Sequence, residues 1–423
     1  MQIPDVPPQL LAALVEAAAG QRLALVGGVV RDLLLHRHHQ DPWRGLPDLD
    51  LVLEGRAADL VERLPAALEH HLGMPVPLRQ QHHGRYGTVE LELQLPSEQG
   101  GTWLLDLASA RQESYPQPGF NPVVSPGTLE QDLARRDFTV NAMALVLNAP
   151  GEGLRHDLAV LDPHGGQSDL AARQLRLLHA DSLRDDPTRL VRAARYAARL
   201  GFALSPDALE QARITLRDWP WRWFVGEDPA TAPPALASRL RMELDLLLVR
   251  EPWPVALALM QHWGALALLD EGLQRDQAWR RRLHWAARLG VPLVQALVCG
   301  ATEPCGLAER LQLPKRQQEE LRQLAQLLLR LNAANRADTL PTPSAWCRLL
   351  ESSGCRPAVV ALAICLGGPC RQPLLRWLLR WRKQVAPVSA TELQRLGWRP
   401  GPALGAELQR LRYALIDADG RCV

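Results

Sequence analysis

Two short stretches near the N-terminus constrain the fold more than any other part of this sequence. An apolar run at residues 23–26 leads into Gly27-Gly28-Val29-Val30-Arg31-Asp32, and Asp48-Leu49-Asp50 opens a second apolar run. Side chains alternate across a strand, so Asp48 and Asp50 would share one face and the leucines the other. The pattern predicts a strand, a tight turn, a helix and a second strand that carries two carboxylates.

The paired carboxylates indicate a metal site. Neighbouring carboxylates repel each other unless hard cations lie between them, and Mg²⁺ prefers carboxylate and phosphate oxygens. Gly27 and Gly28 allow close backbone approach, and the N-terminus of the following helix favours phosphate. We therefore predict two Mg²⁺ ions at Asp48 and Asp50 and phosphoryl transfer as the chemistry. A plain turn and a surface Asp-x-Asp loop are the structural alternatives for each half alone.

Composition limits the other possibilities. The 423 residues suffice for several domains, and a net charge of +2 gives no global attraction for nucleic acid, so any basic surface must be local. Neither a membrane span nor a signal sequence is expected, which predicts a cytoplasmic protein. All seven cysteines lie from Cys299 onward without a CxxC pair, which favours reduced thiols over zinc. The histidines, such as His70 and His71, lie at expected turns and helix ends and predict no metal site.

Periodicity predicts an α/β first domain followed by helices. The expected elements are helices at 7–20, 57–71 and 129–147, strands at 76–78, 87–95 and 102–107, and a Pro- and Gly-rich loop at 114–127. Asp106 ends the last strand, either as a third metal carboxylate or as a turn or cap residue. A turn at 162–170 closes this domain, and no strand is expected after it.

A polar cluster interrupts the predicted helix at 129–147. Arg136, Asp137 and Asn141 fall within one arc of that helix. A buried arginine–aspartate pair can be purely structural. Beside a phosphate site, we favour binding of ribose and triphosphate.

A second informative stretch runs from Asp185-Asp186-Pro187-Thr188-Arg189 to Gly201. Proline suits the first turn of a helix and glycine its end. The arginines of this helix form one stripe, at positions Arg189, Arg192, Arg195 and Arg199. A capped helix with a solvated face is one interpretation, and a protein template for a base is the other. A carboxylate accepts from the amino group of cytosine or adenine, and arginine donates to the ring, so C and A would be selected over G and U.

In their order, these motifs resemble the class II tRNA nucleotidyltransferase and poly(A) polymerase family of the polymerase beta superfamily. The similarity runs from Leu23 to about Leu248, with Arg135-Arg136-Asp137-Phe138-Thr139 and Asp162-Pro163-His164-Gly165-Gly166 between the motifs above, and returns at residues 396–420. It implies an α/β nucleotidyltransferase (polymerase beta-like) head followed by all-α neck, body and tail domains. The implied boundaries are 1–165, 166–250, 251–345 and 346–423.

The resemblance also implies an activity. The enzyme would add CCA, or its terminal A, to tRNA 3′ ends from CTP and ATP with release of pyrophosphate. If only A is added, a separate CC-adding enzyme is expected in the same cell. The body and tail would grip the acceptor stem and elbow of tRNA through arginine-rich segments such as 280–288, 371–382 and 410–412. A poly(A) polymerase, a nucleotidyltransferase for small molecules and a non-catalytic RNA-binding protein are the alternatives.

Motif positions and chemistry together give a set of site residues. Asp48, Asp50 and Asp106 are the expected catalytic residues, with Asp48 and Asp50 as metal ligands. Nucleotide binding is expected at Gly27, Gly28, Arg31, Arg136, Asp137, Asn141, Asp185, Asp186, Arg189, Arg192 and Arg195. The sequence departs from the family pattern at Asp185, where glutamate is usual, and at Ser238, where the neck usually has an acid.

Overall fold

The structure, a computed structural model, describes residues 3–46, 48–84, 87–95, 101–149, 151, 153–154, 158–336, 342–351 and 354–420. The chain divides into two compact units. Unit 1 comprises Met1–Arg222, Pro233–Ala235 and Glu251–Trp263, and unit 2 comprises Trp223–Ala232, Leu236–Arg250 and Gly264–Val423. The four-domain boundaries stay a prediction.

Unit 1 is built on a mixed β-sheet. Its strands are β1 Leu23–Val26, β2 Leu49–Leu53, β3 Leu78–His83, β4 Thr88–Gln94, β5 Thr102–Ser109, β6 Arg111–Ser114, β7 Val123–Pro126, β8 Ala144–Val146, β9 Val160–Leu161, β10 Gln174–Leu175 and β11 Ala203–Leu204. The main sheet has the order β3-β4-β5-β2-β1-β8-β9. Among the described strands of this main sheet, β2 and β5 pair in parallel, and the other neighbours are antiparallel.

Unit 1 also contains helices. They are α1 Pro8–Ala17, α2 Gly28–His39, α3 Ala57–Leu72, α4 Leu129–Ala134, α5 Gly166–Ala171, α6 Ser182–Asp185, α7 Thr188–Leu200, α8 Pro206–Asp218 and, after α9 Ser238–Arg250 of unit 2, α10 Trp253–Trp263. Of these, α2 and α3 contact strands of the main sheet. In α3 the apolar residues at four-residue spacing, Leu60, Leu64 and Leu68, are buried. Gly73 ends that helix in the left-handed conformation, φ 71°. The predicted α/β class is confirmed.

Unit 2 consists of helices. They are α9, α11 Glu271–Arg275, α12 Trp279–Leu289, α13 Leu293–Val298, α14 Pro304–Arg310, α15 Lys315–Arg336, α16 Pro343–Glu351, α17 Pro357–Leu366, α18 Arg371–Leu379, α19 Ala390–Arg395 and α20 Pro402–Gly420. Among the described residues, no helix combines the length and apolar character that a membrane crossing needs. Among the described residues of this unit, six cysteines are free thiols: Cys299, Cys305, Cys347, Cys355, Cys365 and Cys370. Cys422 lies outside the described residues.

The buried side chain of Arg310 forms hydrogen bonds to more than one segment of unit 2. The Arg310 guanidinium donates to the carbonyls of Leu236, at 3.2 Å, and Leu268, at 3.1 Å, and also to that of Leu269. It stacks on Trp223, 4.8 Å from the ring centroid. Segments that are distant in the sequence therefore depend on one side chain for buried hydrogen bonds.

The predicted helix at 129–147 is wrong. Helix α4 ends at Ala134, Phe138 is extended and forms an isolated bridge with Leu177, and β8 pairs with β1. A short apolar run fits a buried strand as well as a helix, and here the open edge of β1 determines the outcome. Arg136, Asp137 and Asn141 therefore do not share one helix.

Two further expectations are also wrong. The segment 114–127 is not simply a loop, because β6 and β7 pair as an antiparallel ribbon. The region after residue 170 is not free of strands, because β10 and β11 form a short parallel pair. Both are small ladders whose residues show little hydrophobic alternation, which is the signal on which strand prediction depends.

Candidate active site

Three carboxylates converge on the parallel strand pair. Asp48 lies just before β2, and Asp50 of β2 is registered directly opposite Asp106 of β5. One oxygen from each side chain lies within 4.8 Å of the others, and all three residues are half-buried. Leu49, Leu51 and Leu53 alternate with them and are fully buried, as the sequence pattern predicts. The turn or cap interpretation of Asp106 is wrong, because β5 continues to Ser109.

The carboxylates destabilise one another's charge. Burial raises the pKa of Asp50 to about 6, with Asp48 and Asp106 adding to the rise and the Arg136 guanidinium opposing it. Burial also raises the pKa of Asp106, and Asp48 and Glu90 contribute. Crowded, partly desolvated carboxylates of this kind suit a hard divalent cation. Such a cation binds oxygen ligands and would neutralise the repulsion between the carboxylates. The donor set therefore suits Mg²⁺.

A glycine turn borders the carboxylates. Gly27 has φ 72° and ψ −134°, and helix α2 begins at the next residue. A Cβ on Gly27 would lie 3.2 Å from Arg136 Nη1 and 3.3 Å from Asp50 Oδ2. Gly27 is thus required both by its backbone conformation and by the space that Arg136 and Asp50 leave.

Arg31, Asn141 and Asp137 come together as a buried polar cluster. Arg31, 4% exposed, donates to Asp32 and, at 2.8 Å, to Asn141 Oδ1. Asn141 Nδ2 in turn donates to Asp137 Oδ1 at 3.0 Å, and Arg192 Nε lies 3.6 Å from Asp137 Oδ2. The Arg31 guanidinium also lies 5.5 Å from the centroid of the Tyr196 ring. This cluster holds the start of α2 against the 3₁₀ turn at Thr139–Asn141.

The motif at the start of α7 is largely occupied by internal contacts. Asp186 accepts hydrogen bonds from Thr188 N, at 3.1 Å, and Thr188 Oγ1, at 2.6 Å. Arg189 is buried and donates to the carbonyls of Ser182, at 3.2 Å, and Arg135, at 3.1 Å. The expected helix from Pro187 to Gly201 is confirmed, with Gly201 as its left-handed cap.

The four arginines of α7 do not form one uniform stripe. Arg189 is buried at one end, whereas Arg195 and Arg199 lie 3.5 Å and 3.7 Å from Glu251 Oε1 at the other. The interpretation of these four arginines as one solvated helix face is therefore wrong. The structure brings Arg189 to the Arg135 carbonyl and Arg192 to Asp137, while Arg195 is engaged by Glu251.

A cavity adjoins the Asp185 side chain. Its volume is about 490 Å³, and its wall includes Tyr115, which directly follows β6, and Arg135, His179 and Arg189. Burial raises the pKa of Asp185 and, together with the positive charge of Arg189, lowers that of His179. The cavity wall is therefore formed by β6 and Tyr115, by α4 and Arg135, and by residues 179–189 around the start of α7.

Sequence reasoning missed one residue beside this site, Asp132. It is completely buried on α4 and accepts hydrogen bonds from both Arg135 and Arg136. Its spacing of three and four residues from two arginines is a signal that could have revealed it. In the predicted helix at 129–147 the polar arc comprised Arg136, Asp137 and Asn141, and Asp132 lay outside it.

Comparisons with known proteins find similar sequences that cover the residues of this candidate site. The sequence model of the family described as "Poly A polymerase head domain" matches residues 23–176, which contain all three carboxylates. The CC-adding tRNA nucleotidyltransferase of Deinococcus radiodurans is 35% identical over 401 residues, covering 93% of this chain and 85% of that protein. The A-adding tRNA nucleotidyltransferase of Aquifex aeolicus is 40% identical over 266 residues, which is 62% of this chain but 27% of that longer protein.

A solved structure supports the fold. The apo form II structure of a CCA-adding enzyme superimposes with a TM-score of 0.69 at 23% identity, covering 99% of this chain and 96% of that one. The mixed sheet, together with the matching family model and sequence relatives, identifies the chain as a nucleotidyltransferase. More specifically, the chain belongs to the tRNA nucleotidyltransferase and poly(A) polymerase family. The resemblance inferred from the motifs is thereby confirmed.

Proposed function

We propose that this enzyme adds nucleotides to the 3′ end of tRNA, using CTP and ATP and releasing pyrophosphate in the cytoplasm. The observation that carries the proposal is the meeting of Asp48, Asp50 and Asp106 beside the Gly27 turn. Full-length similarity to a CC-adding tRNA nucleotidyltransferase supports tRNA as the acceptor.

In this mechanism Asp48 and Asp50 would hold two Mg²⁺ ions, with Asp106 completing the carboxylate cluster. The ions would supply activation of the tRNA 3′-hydroxyl and stabilisation of charge on the departing pyrophosphate. The free backbone N–H groups at the start of α2 and the Arg136 guanidinium bind the triphosphate. Arg31 is buried, so its role is to orient Asn141 and Asp137 near the sugar.

Base selection is proposed for Asp185, Asp186 and Arg189. Asp186 and Arg189 are already fixed by hydrogen bonds before a nucleotide binds. Pre-organised groups of this kind discriminate well, because a wrong base leaves buried polar atoms unpaired. Asp185, half-buried at the cavity, replaces a longer glutamate and would set how far the base enters.

The helical unit 2 is proposed to bind the tRNA body. A cavity of about 600 Å³ there is lined by Arg288, Arg316, Arg382 and Lys383 among others. Such a concentration of cations suits the phosphodiester backbone and needs no base contacts. A small acceptor molecule would have no use for this surface.

A CC-adding enzyme, which would add two C residues to tRNA and no A, is the second candidate for the function. The alignment with the CC-adding enzyme of Deinococcus radiodurans covers 85% of that protein. The alignment with the A-adding enzyme of Aquifex aeolicus covers 27% of that protein. The deciding experiment offers purified protein, with Mg²⁺, two tRNA transcripts that end at the discriminator base or at CC. CTP, ATP, GTP and UTP are supplied singly, and CTP is also supplied with ATP.

Each product has a distinct meaning. Addition of C, C and A to the first transcript shows a complete CCA enzyme, and addition that stops after two C residues shows a CC enzyme. Addition of A to the CC-ended transcript alone shows an A-adding enzyme. If neither tRNA is extended and Asp48→Ala leaves tRNA affinity unchanged, the catalytic proposal fails and a non-catalytic RNA-binding role replaces it.

Gly27→Ala and Gly84→Ala are a matched pair of variants in unit 1. Gly27→Ala is expected to lower kcat/KM roughly 10- to 100-fold, because a Cβ there is strained and meets Arg136 and Asp50. Gly84→Ala should change it little, since a Cβ on Gly84, the residue after β3, would meet nothing within 4 Å. Steady-state kinetics of both variants test this, and equal losses would contradict it.

A further inference from the structure

We propose that Asp132 is a positioning residue that holds Arg136 beside the catalytic carboxylates and Arg135 beside the base-binding helix. This inference rests on the proposed function. Asp132 is not part of the glycine turn, the carboxylate cluster or the base template. It acts through the two arginines that follow it on the chain.

Each Asp132 oxygen is used by a different arginine. Oδ1 accepts from Arg135 Nε at 2.9 Å and from Arg135 Nη2 at 2.7 Å. Oδ2 accepts from Arg136 Nη2 at 3.0 Å. The carboxylate has no solvent exposure, so water does not compete for these bonds. One buried anion thereby fixes two guanidinium groups.

Arg136 is held at the carboxylate cluster. Its Nη1 and Asp50 Oδ2 border the same space above Gly27, at 3.2 Å and 3.3 Å from the position of an added Cβ. The Nε of Arg136 is buried and has no hydrogen-bond partner among the described residues. The bond from Nη2 to Asp132 is the contact that restrains this guanidinium, so losing it frees the side chain to leave the cluster.

Arg135 links the same carboxylate to the base-binding segment. Its side chain also donates to Glu113 of β6 at 3.1 Å, and its carbonyl accepts from Arg189 Nη2 at 3.1 Å. The Arg135-Arg136 dipeptide therefore contacts β6 and Arg189 of α7, and it places the Arg136 guanidinium beside Asp50. Asp132 is the side chain that both guanidinium groups share, and it fixes their relative position.

The test is Asp132→Asn, which keeps the side-chain volume but turns one acceptor into a donor facing an arginine. The expected result is a 10- to 100-fold lower kcat for nucleotide addition and weaker CTP binding, with the KM for tRNA unchanged. Glu130→Gln is the matched control on the same helix, because Glu130 is exposed and pairs with Arg22. A purely structural role would change the unfolding midpoint and the active fraction but would not separate kcat from the KM for tRNA.

A double-mutant cycle with Arg136→Met shows whether Asp132 acts through Arg136. In the Arg136→Met background, Asp132→Asn should cost clearly less than it does in the parent, because its effect through Arg136 is already lost and only its effect through Arg135 remains. Additive losses, or an Asp132→Asn enzyme within about threefold of the parent kcat, would overturn the inference. If the parent protein adds no nucleotide, the proposed function fails separately, and calorimetric titration of each variant with CTP then decides whether Asp132 positions Arg136 for nucleotide binding.

Discussion

Asp50→Asn is expected to lower the rate of nucleotide addition by at least about 1000-fold while leaving the protein folded. Asparagine keeps the size of the side chain but removes one of the three negative charges that would hold Mg²⁺. Metal ions supply several kcal/mol of transition-state stabilisation, which corresponds to a loss of this size. Single-turnover extension of tRNA at saturating CTP or ATP measures the effect.

The same substitution should stabilise the metal-free protein. The pKa of Asp50 is raised to about 6 in the folded state by burial and by Asp48, so its ionisation opposes folding above that pH. The opposing contribution, on the order of 2 kcal/mol at pH 7, disappears as the pH falls toward the unfolded value of the pKa. Denaturant unfolding with EDTA should therefore show a higher midpoint for Asp50→Asn at pH 7 and a smaller difference at pH 5.

Asp59→Asn is a suitable control for both measurements. Asp59 lies in the first turn of α3, where it faces Arg56 at 3.6 Å on the surface. Its loss should leave nucleotide addition unchanged. If Asp50→Asn retains more than about a tenth of the parent rate, Asp50 is not a metal ligand in the reaction.

Arg310→Met is expected to destabilise unit 2 by about 3 kcal/mol. Methionine fills much of the same volume, but it leaves the carbonyls of Leu236, Leu268 and Leu269 without this donor and removes the stacking on Trp223. Chemical denaturation followed by tryptophan fluorescence measures the loss. Burial lowers the pKa of Arg310 to about 10, so the guanidinium is still charged at neutral pH.

Arg322→Met separates this effect from a general loss of positive charge. Arg322 pairs with Glu309 and Glu319 on the exposed surface of the same unit. Surface ion pairs contribute little to stability, so its unfolding midpoint should stay close to that of the parent. Equal destabilisation by the two substitutions would show that the buried carbonyl contacts of Arg310 carry no special weight.

Local patterns predicted the centre of the site well. Asp48 and Asp50 alternate with leucines that have to be buried, so the periodicity of a single strand determines the face on which the acids lie. The glycine turn follows from the same reasoning, because the helix that starts at Gly28 directly succeeds a buried strand. Such features depend on neighbours in the sequence and need no knowledge of the tertiary structure.

Contacts between distant segments could not be predicted in this way. Asp106 joins Asp50 only because β5 pairs in parallel with β2, and Arg189 reaches Arg135 only because α7 packs beside the end of α4. The same limit explains the incorrect helix at 129–147, where pairing of β8 with β1 overrides an ambiguous apolar run. The alternative of a solvated face for α7 fails at Arg189, which is buried, because charge alone does not indicate exposure.

The register between β2 and β5 has an evolutionary consequence. Asp50 and Asp106 are directly paired, and a slip of one residue would send one of them to the opposite side of the sheet. The same slip would move the buried leucines that alternate with these acids, such as Leu51 or Leu105, to the opposite face, so it would cost packing as well as activity. Insertions and deletions should therefore be excluded from these two strands and should accumulate in the turns of the long connection between them, for instance after α3, which ends at Leu72. Selection for activity would therefore also preserve the register between β2 and β5.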